Sequence, residues 1–366
     1  MERQTAEHTE EHTAERKLNE WIGKIHPIDR AVIDASQRRW NSIAKPLHSL
    51  GKLEEHVMKI AGITGKVSVS IGKKALIIMC ADNGVVAEGV TQTGQEVTAI
   101  VAENFLTCNS SAAIMCEKAG ADIFPIDIGM ATDTKVPDYK IAYGTKNLRK
   151  EPAMTREEAA RAVLTGIELV KEKKEAGYEL IATGEMGIGN TTTSSAVVSV
   201  LLDEQVELMT GRGAGLTKDG LERKIEVISG AIALHQPKAE DVLDVLSKVG
   251  GFDIAGLAGV FLGGAIYRIP VIIDGFISAA AALSAVKMCG TAKEYMIASH
   301  VSKEPGMRRI LAELGLEPSL TCDMCLGEGT GAVALFPILD MAVEVYRKMS
   351  TFSDNHIEDY EELGDK

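Results

Sequence analysis

Glu328 stands between glycines in the run Leu326-Gly327-Glu328-Gly329-Thr330-Gly331-Ala332. Flanking glycines let a backbone approach a ligand closely and leave the acid uncrowded. A carboxylate shielded from water in such a setting has its pKa raised towards neutrality and can serve as a general base. A plainer reading fits the same residues: an acid in the first turn of a helix, with the glycines as connecting loop. A second group is Gly184-Glu185-Met186-Gly187-Ile188-Gly189-Asn190-Thr191-Thr192-Thr193. Glycines and hydroxyls where a helix begins make a phosphate cradle, because free N–H groups and the helix dipole attract an anion. A capped helix after a strand explains them as well. No Gly-Lys-Ser/Thr is present, so this is not a Walker loop. Glu185 is the odd member: phosphate repels an acid, so Glu185 must face something else. Lys224, beyond Gly211-Arg212-Gly213-Ala214-Gly215, offers a point charge for a phosphate, while Lys218 and Arg223 read as solvated helix face.

These loops need elements to hold them. Four short apolar runs, Lys73–Asp82, Asp122–Gly129, Tyr178–Glu185 and Pro270–Gly275, have the look of buried parallel strands that end in polar or glycine-rich loops. Helical spacing separates them, as in Arg156–Glu175, Leu221–Leu234 and Ala239–Val249. The alternation predicts an α/β fold with a doubly wound, mostly parallel sheet, whose ligands bind beyond the C-terminal strand ends. Residues 1–16 read as a disordered or weakly helical tail. Segments 17–65 and 333–352 read as a smaller helical lobe, and 66–332 as a large Rossmann-like domain carrying the active site. The polar loop Asp82–Thr98, with Asn83 and Thr91, suits a pocket for a flat heterocycle or an ordinary surface connection. His300 is an acid–base candidate or a hydrogen-bonded surface histidine.

Composition narrows the partners. The 366-residue chain carries a formal net charge of -13, which argues against nucleic acid and anionic membrane. Aromatics are only 4% and glycines number 35, a mixture that suits closely packed helix–sheet layers rather than base-stacking surfaces. No signal sequence is visible at the N-terminus, and the Ala/Gly-rich stretch 253–285 is interrupted by Tyr267, Arg268, Pro270 and Asp274. The expectation is a cytoplasmic protein with reduced thiols. Cys322-x-x-Cys325 lacks a second ligand pair for structural zinc, and His8 and His12 belong to a polar terminus, so no metal site is expected.

Taken in order, Ala81-Asp82-Asn83-Gly84-Val85, Gly184–Thr192, Gly211–Gly215, Gly251-Phe252-Asp253-Ile254-Ala255-Gly256, Ile273-Asp274-Gly275-Phe276, Ser299-His300 and Leu326–Gly331 resemble the nicotinate-nucleotide:5,6-dimethylbenzimidazole phosphoribosyltransferase family. The resemblance spans about residues 18–350 and rests on several long motifs. It implies transfer of phosphoribose from nicotinate mononucleotide to 5,6-dimethylbenzimidazole or a related lower-ligand base. The products are α-ribazole 5′-phosphate and nicotinate, in assembly of the cobalamin nucleotide loop. It further implies a homodimer acting on small molecules with no cofactor. Glu328 then matches the general base and Glu185 a supporting acid. Gly187, Gly189, Asn190, Thr191, Thr192 and Lys224 match the phosphate and ribose site. Asp82, Asn83, Thr91 and Met186 match the base pocket. One departure concerns Asn83, where the family often has His; Asn keeps a hydrogen bond but does not titrate near neutrality, which leaves the preferred acceptor base open.

Two rivals make different demands. A nicotinamide-dependent dehydrogenase would carry Gly-x-Gly-x-x-Gly after the first strand, where this chain has Asp82-Asn83-Gly84. A non-catalytic nucleotide-binding protein would hold nicotinate mononucleotide without releasing nicotinate.

Overall fold

The computed structural model describes residues 13–361. The chain opens with α1 (Thr13–Ile22), α2 (Arg30–Ser42) and α3 (Lys52–Thr64). β1 (Lys74–Ala81) follows, then α4 (Glu96–Leu106), α5 (Ser111–Ala119) and β2 (Ala121–Gly129). α6 (Arg156–Glu175) leads into β3 (Leu180–Met186). Next come α7 (Asn190–Leu202), the short α8 (Val206–Met209), α9 (Lys218–His235), α10 (Val242–Val249) and α11 (Phe252–Tyr267). β4 (Val271–Ile273), α12 (Phe276–Met288), β5 (Met296–Ala298), α13 (Met307–Leu314) and α14 (Thr330–Lys348) complete the order.

The strands form one five-stranded sheet in the order β2-β1-β3-β4-β5, and all of its pairings are parallel. β1 is buried along its whole length, as expected of a central strand covered on both faces. Its side chains alternate between two cores. Ala75, Ile77, Met79 and Ala81 join one hydrophobic cluster, and Leu76, Ile78 and Cys80 join the other. The first cluster collects apolar residues of α6, α7 and α9–α12; the second collects Trp40, Ile60, Phe105, Leu335 and Phe336. Trp40, Ile43, Ile60, Leu335 and Tyr346 share the second cluster with Leu76, Ile78 and Leu180 of the sheet, whereas Leu18, Ile28 and Ile63 join the first. The expected tail 1–16 falls outside the described residues up to residue 12, His8 and His12 included, and α1 already starts at Thr13.

All four strands expected from the sequence are present. The fifth, β5, is a three-residue strand following a turn of 3₁₀-helix, too short to show a period. α11 was also hidden, because an apolar helix buried on all sides has no polar stripe to mark its phase. It runs against α6 with backbones almost touching: a Cβ on Gly166 would strike Gly256 O and lie 2.7 Å from Val260 N. Gly166→Ala should therefore cost about 1–3 kcal/mol of stability by overpacking. Denaturant unfolding checks this, and an unchanged midpoint would contradict it. Among the described residues no helix is long and apolar enough to cross a membrane.

Candidate active site

The strand order reverses direction between β1 and β3, and in open α/β sheets a crevice opens at such a switch point beyond the C-terminal strand ends. A cavity of about 280 Å³ lies there. Its walls come from the loops after β1, β3, β4 and β5, from Gly213, and from the turn that carries Glu328.

Three successive residues of that turn have left-handed backbone: Gly327 at φ 88°, Glu328 at φ 61° and Gly329 at φ 88°. Left-handed backbone costs a non-glycine residue of order 1–3 kcal/mol and tends to persist where function requires it. The flanking glycines are needed for space as well. A Cβ at Gly327 would strike Glu185 Oε1, and one at Gly184 would lie 2.6 Å from the Glu328 carbonyl oxygen. Glu328 is half-buried and lines the cavity. Its Oε2 accepts the N–H of Ala112, 3.3 Å away in the first turn of α5. Burial raises its pKa, the Ala112 N–H opposes that, and the charge of Asp274 adds to the rise.

Glu185, 7% exposed, ends β3 beside this turn. Asn190 Nδ2 donates to Glu185 Oε2 and, at 3.0 Å, to Asp253 Oδ2 on α11. Burial pushes the Glu185 carboxyl well up, and the charges of Asp253, Asp274 and Glu328 push the same way against the Asn190 hydrogen bond. Burial likewise raises Asp253, to about 6. Neither Glu185 nor Glu328 has a basic side chain within ion-pair distance among the described residues. A cationic ring, or a ribosyl carbon that gains positive charge, would supply the missing cation and favour the ionised form of both acids.

The same cavity also carries a buried cation. Lys224, on α9 and 0% exposed, donates to Thr191 Oγ1 at 2.8 Å and to Gly211 O at 3.2 Å. Burial lowers its pKa to about 8, with Glu304 opposing. An ammonium has three donors and two are committed to neutral oxygens, which leaves one for an anion in the cavity. Ser302 adds a buried hydroxyl without a protein partner on the same wall.

Of the residues singled out in the sequence, Glu328, Glu185, Gly187, Gly189, Asn190, Thr191, Lys224, Thr91 and Met186 line this one cavity. Asp82, Asn83 and Thr192 do not. Asp82 leaves the buried end of β1 and its Oδ2 accepts the Ala131 N–H at 2.8 Å, so it fastens a neighbouring loop. Asn83 is 0% exposed and packs behind Gly189 and Gly251. Thr192 turns into the core side of α7. Asn190 lines the cavity, but both of its amide hydrogens go to carboxylates, which makes it a clamp on Glu185. Residues not assigned from the sequence are Asp253, Asp274, Ser302 and Glu304. The signal available for Asp274 was an acid closing a strand just before glycine. Cys322 and Cys325 are free and exposed, and Cys325 reaches the cavity rim.

The phosphoribosyltransferase family model matches residues 25–357. A nicotinate-nucleotide–dimethylbenzimidazole phosphoribosyltransferase from Clostridium acetobutylicum is 52% identical over 345 residues, covering 93% of this chain and 98% of that protein. The enzyme of the same name from Acetivibrio thermocellus is 52% identical over 94% of this chain and 99% of its own length. The crystal structure of CobT from Thermus thermophilus superposes with a TM-score of 0.86 at 37% identity, over 90% of this chain and 99% of that one.

Proposed function

The chain belongs to the nicotinate-nucleotide–dimethylbenzimidazole phosphoribosyltransferase family, and from that premise we propose that Glu328, Glu185 and Lys224 divide the reaction between them. The donor is nicotinate mononucleotide. The acceptor is 5,6-dimethylbenzimidazole or a related lower-ligand base, and the product serves the nucleotide loop of cobalamin. The nucleotide phosphate sits against Lys224, Thr191 and the Gly187–Gly189 loop, where the free ammonium hydrogen and the start of α7 meet it. The acceptor ring lies against Thr91 and Met186, within reach of Glu328.

Glu328 takes the N–H proton of the acceptor as the other ring nitrogen attacks the anomeric carbon. The glycosidic C–N bond breaks, and its electron pair neutralises the pyridinium nitrogen of the departing nicotinate. Attack from the face opposite the leaving group inverts β to α. Glu185, held by Asn190 against Asp253, faces the positive charge that spreads onto the ribose as the bond loosens. Asp82, Asn83 and Thr192 support the walls from behind.

The observation that carries this reading is the half-buried carboxylate of Glu328, with a raised pKa, on the same cavity as a buried lysine. Incubation with nicotinate mononucleotide and 5,6-dimethylbenzimidazole should release nicotinate and form α-ribazole 5′-phosphate in equal amounts. Binding of the donor without nicotinate release would overturn it. The enzyme acts in the cytoplasm as a homodimer; exposed Ile100 on α4, Ile114 on α5 and Met341 on α14 supply apolar surface for a second copy.

A further inference from the structure

The residue that follows strand β4 is an acid that takes no part in the chemistry just described. Asp274 is 2% exposed, and both of its carboxylate oxygens are committed to the start of α14. Oδ2 accepts the Gly329 N–H at 3.2 Å and Oδ1 accepts the Ala332 N–H at 2.9 Å. These are orphan donors at a helix N-terminus, which a side chain on the preceding residue normally satisfies. Here the residue at that place is Gly329, which has no side chain, and the cap comes from the residue just after β4, 55 positions earlier. That arrangement has a geometric consequence. Gly329 adjoins Glu328, so the same hydrogen bond that caps the helix ties the left-handed turn under Glu328 to the end of the sheet.

We propose that Asp274 is the positioning residue for the general base: its bond to the Gly329 N–H fixes the end of the Gly327–Glu328–Gly329 turn, its bond to the Ala332 N–H fixes the helical turn that follows, and its charge sets the environment in which Glu328 gives and takes its proton. The proposal rests on the assignment of Glu328 as that base. Glu328 is faced by Asp274 from β4, by Glu185 from β3, by the Ala112 N–H from α5, and across Asp274 by His300 from the loop after β5. Asp274 and Glu185 are the acids of that shell. Asp274 is bonded to the turn itself, so its charge and its hydrogen bonds reach Glu328 together. The turn with three left-handed residues closes on itself through Thr330, whose N–H and Oγ1 donate to Gly327 O at 3.1 and 2.8 Å, and the sheet end anchors it from outside.

Asp274→Asn separates the two contributions. The amide keeps one acceptor oxygen, so one of the two buried N–H groups loses its partner and meets an NH₂ instead. The turn loosens and the negative charge disappears. Turnover should fall roughly 10–100-fold, as a small misplacement of a reacting group does, while the KM for nicotinate mononucleotide stays within about two-fold. The acid limb of the kcat/KM profile should move to lower pH, because loss of a neighbouring negative charge lowers the Glu328 pKa. Combined with Glu328→Gln, Asp274→Asn should cost almost nothing further, since the base it positions is already gone. A folded Asp274→Asn enzyme with normal turnover, or one that slows Glu328→Gln by the same factor as the wild type, would overturn the proposal and leave the base assignment standing. Normal turnover by Glu328→Gln alone would instead remove the base assignment. Should Asp274→Asn not fold, Asp274→Ser, which also lacks the charge but is smaller, must show the same displaced acid limb; an unmoved limb there overturns the proposal.

Discussion

Replacing Glu328 by glutamine is expected to lower turnover by roughly 10²–10⁴-fold, the usual contribution of a general base and about 2.7–5.4 kcal/mol of transition-state stabilisation. Glutamine has the same shape and keeps an oxygen for the Ala112 N–H, so the left-handed turn and its neighbours stay as they are. What it lacks is a site for the proton. The benzimidazole then has to attack as the neutral ring and expel its proton to water afterwards. The donor KM should change little, because the proposed phosphate contacts, Lys224 and Thr191, bond each other and not Glu328. The pH profile gives an independent check. Glu328 works as a base only when ionised, and burial holds its pKa above the ordinary carboxylate value. In the wild type kcat/KM should therefore fall as the pH drops through that raised pKa, and the Glu328→Gln profile should lose this limb. Near-normal turnover in a folded variant, or an unchanged acid limb, would remove Glu328 from the mechanism.

That this residue could be found in the sequence at all follows from its glycines. A left-handed turn next to a packed strand end leaves no room for side chains at 327 and 184, and this shows in the sequence as an acid isolated in a Gly-rich run. The central strands were legible for a similar reason: a parallel strand buried on both faces is a bare apolar run, as β1 and β3 are. The same property hid the orientation of the residues that follow. Where both faces are buried, no polar–apolar alternation says which side chain at a strand end points up into the crevice and which turns aside. Glu185 points in, whereas Asp82 and Asn83, which follow the neighbouring strand, are spent behind the wall.

Contacts made across long sequence separations were invisible for another reason. Asp253 meets Glu185 only through Asn190, and Asp274 meets Gly329 only because β4 lies beside β3 in the sheet. Neither pairing has a local spacing to betray it. Nor does the committed state of the Asn190 amide: a Gly-Asn-Thr run at a helix start suggests a phosphate ligand, and only the position of two buried acids turns it into a clamp. The Glu328 turn and the glycine-rich loop after β3 were thus open to reading from composition and local chemistry, while the network that holds the two acids in place depends on the strand order.

Lys224→Ala is expected to raise the KM for nicotinate mononucleotide by roughly 30- to 5,000-fold, from the 2–5 kcal/mol that loss of one partner in a buried, hydrogen-bonded charge pair costs. The KM for the acceptor base should stay near its wild-type value, because Lys224 bonds Thr191 and Gly211, on the side proposed for the phosphate. Two effects add in the variant. The phosphate loses a charge-assisted donor, and Glu304, whose carboxyl burial already raises and Lys224 pulls back, is left facing a dianion without the cation between them. Lys224→Met fills most of the vacated volume and should show the same defect, which separates charge from packing. The pH dependence has a definite sign. With its pKa lowered to about 8 in the empty site, Lys224 loses its proton as the pH rises through that value, so donor binding by the wild type should weaken above it. A bound phosphate favours the ammonium form, so donor binding near that pH should also draw a proton from solution, detectable by calorimetry in buffers of different ionisation enthalpy. Both signatures should vanish in Lys224→Met. Equal changes in the KM of donor and acceptor would place Lys224 away from the phosphate, and an alkaline limb that survived the substitution would assign it to another group.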